Sequence, residues 1–267
     1  GSTDMYFIPA ELPVHTFIDT QIIAESPDEY FWAGIGDAFS KGPEVELSSR
    51  EVELLHSPLM GRALAAGACI EPLFDNAEQA LADKRAGVVS EAFENVVLNI
   101  IITAGVVSNM TTNIGAERGA YYFNSSTAHA FYNAFTALGE RGEKHLHGEV
   151  VSFGTCVLYA FDGNLKALEE QVALNRKLGL PTTLADLDIT SESVDADLDI
   201  IVERAQKTNE WGRAPYGFTP DRFRQAILDT DAYGRAVASG EKDQEAVALD
   251  VIAAHAPSAE TAVPRKM

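Results

Sequence analysis

Basic residues are scarce. The chain has 267 residues, with 20 Lys and Arg against 40 Asp and Glu, for a formal charge of −20. That deficit argues against a nucleic-acid partner, whose phosphates call for Lys and Arg. It argues equally against an anionic membrane surface. Solubility is the simplest use of the charge. Cysteine is nearly absent. Cys69 and Cys156 are the only two, in the apolar stretches "AAGACI" and "FGTCVLYA". They read as separate buried thiols in a reducing, cytoplasmic compartment. Long apolar runs are missing too. The most apolar stretch, "VVLNIIITAGVV" (96–107), is broken by an Asn and a Gly and reads as a core helix rather than a bilayer span. The front of the chain has no signal-peptide pattern, and its first residues, Gly-Ser-Thr, read as a cloning scar or a cut end. No Gly-rich phosphate loop is found. "GIGDAFSKG" (34–42) has the look of a dinucleotide fingerprint, but its third glycine is misplaced and no strand precedes it.

What remains is helical. Apolar residues at helical spacing mark segments at 27–47, 49–70, 74–83, 86–108, 126–138, 148–160, 163–178, 194–209 and 219–229, and 241–254 can form one more. Ser26 is placed to cap the first of these with Pro27 at its first position. Ser48 or Ser49 precedes "REVELL", and Thr219 precedes Pro220. Only 5–18, "MYFIPAELPVHTFI", has strand character, and one strand cannot make a sheet. No fixed-period repeat supports a solenoid. The last residues, "APSAETAVPRKM", read as a loose tail.

Histidine gathers in one place. His129, His145 and His147 are three of the six in the chain. Ser125, Ser126 or Thr127 can cap a helix whose first turn holds His129. Tyr132, Asn133 and Thr136 then share its face, as a cavity lining would. A lone histidine on such a face reads equally well as a satisfied interior residue. His147 opens the next helix. From His129 to the helix end near Leu138 is roughly 14 Å at ~1.5 Å per residue. The eight-residue connection can span up to roughly 27 Å. It is therefore expected to run back along the first helix and bring His147 beside His129. Two imidazoles need a third, acidic ligand to hold a metal. Asp37 is the best candidate, although a simple helix cap is an equally ordinary role for it. Two His and one carboxylate with open positions suit Zn2+ or Fe2+. His145 reads as a loop or supporting group. Lys41 and Glu149 are assigned no role.

"AGIGDAFSK" (33–41), "AHAFYNAFTAL" (128–138) and "HGEVVSFGT" (147–155) resemble the iron-containing alcohol dehydrogenase superfamily, within it the glycerol dehydrogenase-like branch. The resemblance covers roughly residues 12–235. It implies metal ligands at Asp37, His129 and His147. It also implies a mainly α, multi-helix fold like the C-terminal domain of dehydroquinate synthase-like and iron alcohol dehydrogenase enzymes, with a short N-terminal strand left from an α/β domain. On that basis 1–26 is a residual strand and linker of an NAD-binding domain, 27–240 the helical metal-binding domain, and 241–267 a C-terminal helix and tail. Tyr121, Tyr122, Phe123 and Tyr132 fall where the substrate pocket is expected. Tyr132 stands where glycerol dehydrogenases carry a further histidine.

The implied activity is an NAD(P)-linked oxidation of an alcohol or polyol, with the metal polarising the substrate hydroxyl. The expected partners are an alcohol or polyol substrate and further copies of the chain in a homo-oligomer, with no nucleic acid or membrane, as the charge argues. No cofactor-binding residue can be named, and the chain as it stands is expected to lack the cofactor domain. Two alternatives stay open. One is a dehydroquinate synthase-like or glycerol-1-phosphate dehydrogenase-like enzyme, whose phosphorylated substrate would need cations such as Arg118, Arg141 and Lys144. The other is a non-catalytic helical metal-binding module.

Overall fold

A computed structural model describes residues 13–113 and 120–257. Residues 5–12 of the expected strand lie outside the described residues, and 13–18 form neither helix nor strand. Among the described residues the only sheet is a two-residue antiparallel ribbon, β1 (Thr112–Asn113) with β2 (Tyr121–Tyr122), which pairs Thr112 with Tyr122. Everything else is helix or connection.

A short α1 (Thr20–Glu25) leads into α2 (Asp28–Ser49). Ser26 does not cap α2. It ends α1, its hydroxyl donating to the Ile23 carbonyl, and Pro27 takes the cap position of α2 instead. Ser48 and Ser49 are not caps either. They are the last turn of α2, where the Ser49 hydroxyl bonds back to Val45 O at 2.6 Å. The helix expected at 49–70 therefore begins only at α3 (His56–Ala66). α4 (Glu71–Arg85) follows.

The segment expected at 86–108 starts later, because Ser90 caps α5 (Glu91–Leu98) through Phe93 N. It continues through a π turn (Asn99–Thr103) into α6 (Ala104–Thr111). The expectation that no run could span a bilayer does not hold as stated. Glu91–Thr111 is 21 residues of continuous helix, long and apolar enough for it by length and composition. Nor is it a fully buried core helix. Phe93, Val96, Val97 and Val107 face the interior, while Leu98, Ile101 and Ile102 are exposed.

Two helices organise the rest. α2 buries Phe31, Ile35, Phe39, Val45 and Leu47 on several sides, as a central helix does. In α9 (His147–Asp162) only Glu149 escapes burial between Gly148 and Phe161. The two cross at Gly36 and Gly148. A Cβ built on Gly148 would lie 1.8 Å from the Ala33 carbonyl oxygen, and one on Gly36 would lie 2.5 Å from Gly148 O. Only hydrogens fit there. On the other side of α9, Gly154 lets α7 (Thr127–Phe135) approach, its Cβ position falling 2.6 Å from Ala128 O.

α7 ends in a 3-10 turn (Thr136–Leu138), and Gly139 at φ 63° reverses the chain. The connection is not an open loop as expected but a short α8 (Glu140–Lys144). It returns the chain to the head of α7 all the same. α10 (Leu165–Leu178), α11 (Val194–Ala205), α12 (Pro220–Ser239) and α13 (Lys242–His255) surround α9 and enclose the larger core. The Thr219 cap is as expected: its side chain accepts from Arg222 N.

Candidate metal centre

Three helices deliver one side chain each to a common point. Asp37 comes from the middle of α2, His129 from the first turn of α7 and His147 from the first residue of α9. One potential ligand atom from each lies within 4.8 Å of the others. His147 Nε2 is 3.2 Å and His129 Nε2 is 3.5 Å from Asp37 Oδ1. The imidazole centroids are 5.3 Å apart. The Gly36–Gly148 crossing is what sets α2 against the head of α9, one residue from each of Asp37 and His147.

The electrostatics suit a cation. Enclosure pushes the Asp37 carboxyl up, but the His147 hydrogen bond, with the charges of His129, His147 and Lys41, outweighs it and holds the group at about 2. Asp37 and His147 nevertheless keep 44% and 45% of their side-chain surface open, so the cluster has an accessible side.

A residue that was given no role in the sequence stands behind His129. Glu44 is fully buried. Its Oε2 lies 2.6 Å from His129 Nδ1, and its Oε1 accepts from Ser126 N at 2.8 Å and His129 N at 3.0 Å. Burial pushes the Glu44 carboxyl up, but the His129 contacts pull it down further. For His129, burial lowers the imidazole while Glu44 and Asp37 raise it more. The signal was present: Asp37, Lys41 and Glu44 follow at i, i+4 and i+7 on one face of α2.

Lys41 is enclosed. Its ammonium donates to Asn124 Oδ1 at 2.6 Å and Asn124 O at 3.2 Å, tying the segment before α7 to α2. Burial lowers it, against the raising effect of Glu44, Asp37 and Cys69.

Tyr132 packs its ring edge-on against His147 at 4.1 Å. Tyr122 turns to a separate polar group. Its hydroxyl meets Ser125 Oγ at 2.6 Å and buried Glu210 at 3.1 Å, and the Arg213 guanidinium lies over its ring at 4.7 Å. Tyr121 and Phe123 stack at 5.9 Å, and Phe123 is buried. His145 is not in the cluster. It bridges Glu149 Oε1 at 2.9 Å and Asp188 Oδ2 at 3.2 Å, while Glu149 caps α9 through Leu146 N. Cys69 and Cys156 are free and buried, and neither joins the cluster. Of the cations expected near a phosphate, Arg141 is paired with Asp197 and Lys144 with Asp188. Arg118 lies outside the described residues.

The donor set fits a divalent metal. Two nitrogens and one oxygen from different helices converge with a side left open, and a carboxylate backs one imidazole. A multi-helix body in which one carboxylate and two imidazoles meet between three helices is the arrangement that the sequence motifs imply.

Comparison with known proteins agrees. No family model matches the chain. It is 32% identical over 240 residues to a glycerol dehydrogenase of Escherichia coli O6:H1, covering 88% of this chain and 62% of that protein. It is 29% identical over 217 residues to hydroxycarboxylate dehydrogenase A of Escherichia coli K12, covering 81% and 57%. A crystal structure of a probable glycerol dehydrogenase from Sinorhizobium meliloti 1021 superposes with a TM-score of 0.70 at 28% identity, over 82% of this chain and 59% of that one. These relatives and solved neighbours are glycerol dehydrogenases and related dehydrogenases, and the chain is similar to them in sequence and fold, as its motifs imply. It spans about three fifths of the length of the relatives it matches.

Proposed function

We propose that this chain is the metal-holding part of an NAD(P)-linked alcohol or polyol dehydrogenase. The observation that carries the reading is the convergence of Asp37, His129 and His147 with one side open. Asp37, His129 and His147 would hold Zn2+ or Fe2+, which would supply Lewis-acid polarisation of a substrate hydroxyl, and NAD(P) would serve as the hydride acceptor. The protein supplies the rest. Asp37 brings negative charge to the centre, since the His147 hydrogen bond and the neighbouring cations hold its carboxyl well below the usual carboxylate range. Glu44 and the head of α7 hold the His129 ring in one orientation. Tyr132 lies against His147, limits its rotation and forms one wall of the substrate space, with Tyr121, Tyr122 and Phe123 in the segment just before α7. Such fixed placement of the reacting carbon is where a protein of this kind contributes to rate.

The names of two relatives, glycerol dehydrogenase and hydroxycarboxylate dehydrogenase, support a small hydroxylated substrate. Among the described residues the pairing of Arg141 and Lys144 with aspartates favours a neutral substrate over a phosphorylated one. Two buried free thiols support a reducing, cytoplasmic setting.

The test is metal content by mass spectrometry after reconstitution with Zn2+ or Fe2+, with Asp37→Ala and His129→Ala in parallel. Near-stoichiometric metal in the parent that disappears in both variants is expected. A parent that retains none refutes the reading. Turnover by the full-length enzyme of a phosphorylated substrate, but not of a neutral polyol, moves the function to the phosphate-handling enzymes.

A further inference from the structure

The geometry points to Glu44 as the positioning residue that fixes the tautomer of His129, leaving Nε2 free to ligate, while the same carboxylate caps α7 from another helix. This rests on the metal reading above only for what the free nitrogen is used for.

Glu44 is two helical turns from Asp37 on α2 and completely buried. A buried carboxylate is costly unless hydrogen bonds compensate. Here three donors converge on it. Oε1 takes the backbone N–H groups of Ser126 and His129, at the positive end of α7, at 2.8 and 3.0 Å. No side chain of the α7 segment caps that helix, so Glu44 is its cap. Oε2 is left facing His129 Nδ1 at 2.6 Å. An ionised carboxylate only accepts, so Nδ1 must carry the proton. The lone pair of the neutral ring is then on Nε2, the nitrogen 3.5 Å from Asp37 and inside the ligand cluster. One carboxylate thus couples the start of α7 to the ligating state of its histidine.

Glu44→Gln separates these roles. The glutamine oxygen is held by the two backbone N–H groups, which leaves its NH2 facing Nδ1. Two donors cannot face each other, so the ring proton moves to Nε2 and blocks ligation. The full chain is labelled with 15N and stripped of metal. The His129 tautomer is read from long-range imidazole correlations at a pH where the same spectrum shows a neutral ring. Zn2+ affinity is measured by competition with a chromophoric chelator.

The parent is expected to show Nδ1–H, and Glu44→Gln to show Nε2–H with Zn2+ binding weakened about 10- to 100-fold and the helical circular dichroism retained. A parent with Nε2–H overturns the assignment. So does a folded variant that keeps the parent tautomer and affinity. Should Glu44→Gln fail to fold, the tautomer of the parent alone decides. If the tautomer switches as expected but neither protein binds Zn2+, the metal reading fails and the role of Glu44 stands.

Discussion

The crossing of α2 and α9 sets the centre, and Gly148→Ala tests it with one methyl group. The added Cβ would sit 1.8 Å from the Ala33 carbonyl oxygen and 3.0 Å from Asp37 N. Ordinary contact begins near 3.4 Å, so the helices must part by about 1.6 Å or one must rotate. Both neighbours are backbone in the interior of α2, so no flexible side chain can give way. Overpacking of this kind typically costs about 1–3 kcal/mol, a drop in melting temperature of roughly 2–12 °C for a chain of this size. The effect on the site is larger in proportion. His147 is the residue immediately before Gly148 and moves with it. Metal–ligand distances tolerate only about 0.2 Å. Zn2+ affinity should therefore fall at least tenfold. Gly67→Ala is the control, because a Cβ there meets nothing within 4 Å. Thermal melts without metal and chelator competition with Zn2+ measure the two effects separately. A Gly148→Ala protein with the parent's melting temperature and Zn2+ affinity would refute the claim that this crossing positions the centre.

Three further outcomes follow from contacts elsewhere. Asp162 receives Arg50 and the Tyr216 hydroxyl and ties the end of α9 to the end of α2, so Asp162→Ala should lower stability by about 2–3 kcal/mol in urea titration; a loss below half a kcal/mol would count against it. For Asp197, burial pushes the carboxyl up, but Arg141 and Ser193 pull it further down. A depressed carboxyl contributes stability that is complete above its unfolded value and lost as pH falls through the folded one. Melting temperatures of the parent should thus fall more steeply below about pH 4 than those of Asp197→Asn, and parallel curves would contradict the pairing. Burial pushes the Cys69 thiol up to about 11 and the Cys156 thiol up to about 12. Neither should be alkylated in the native protein at pH 8, and metal should make no difference; protection of either thiol by metal would instead indicate a thiolate site.

The three residues of the cluster were legible because each carries a local mark. His129 and His147 head two apolar helices, and Asp37 follows a glycine pair in a third. The end of α2 was not legible. Ser48 and Ser49 are good caps by type, yet a serine hydroxyl can also bond back to a carbonyl four residues earlier, as Ser49 does to Val45. The Ser48 hydroxyl reaches Phe123 O, 75 residues away, at 2.8 Å. The same limit applies to Tyr122. Its hydroxyl meets Glu210, 88 residues on, a partner that no local pattern marks.

The sequence by itself determined that the body is helical, where most helices run, and which two imidazoles and one carboxylate could meet. Those properties depend on periodicity and residue type within a few turns. Only the tertiary structure decided that Glu44 lies behind His129, that Lys41 is enclosed against Asn124, and that Gly148 admits the backbone of α2. These depend on how three helices cross, and a crossing is fixed by volumes excluded between residues far apart in the chain.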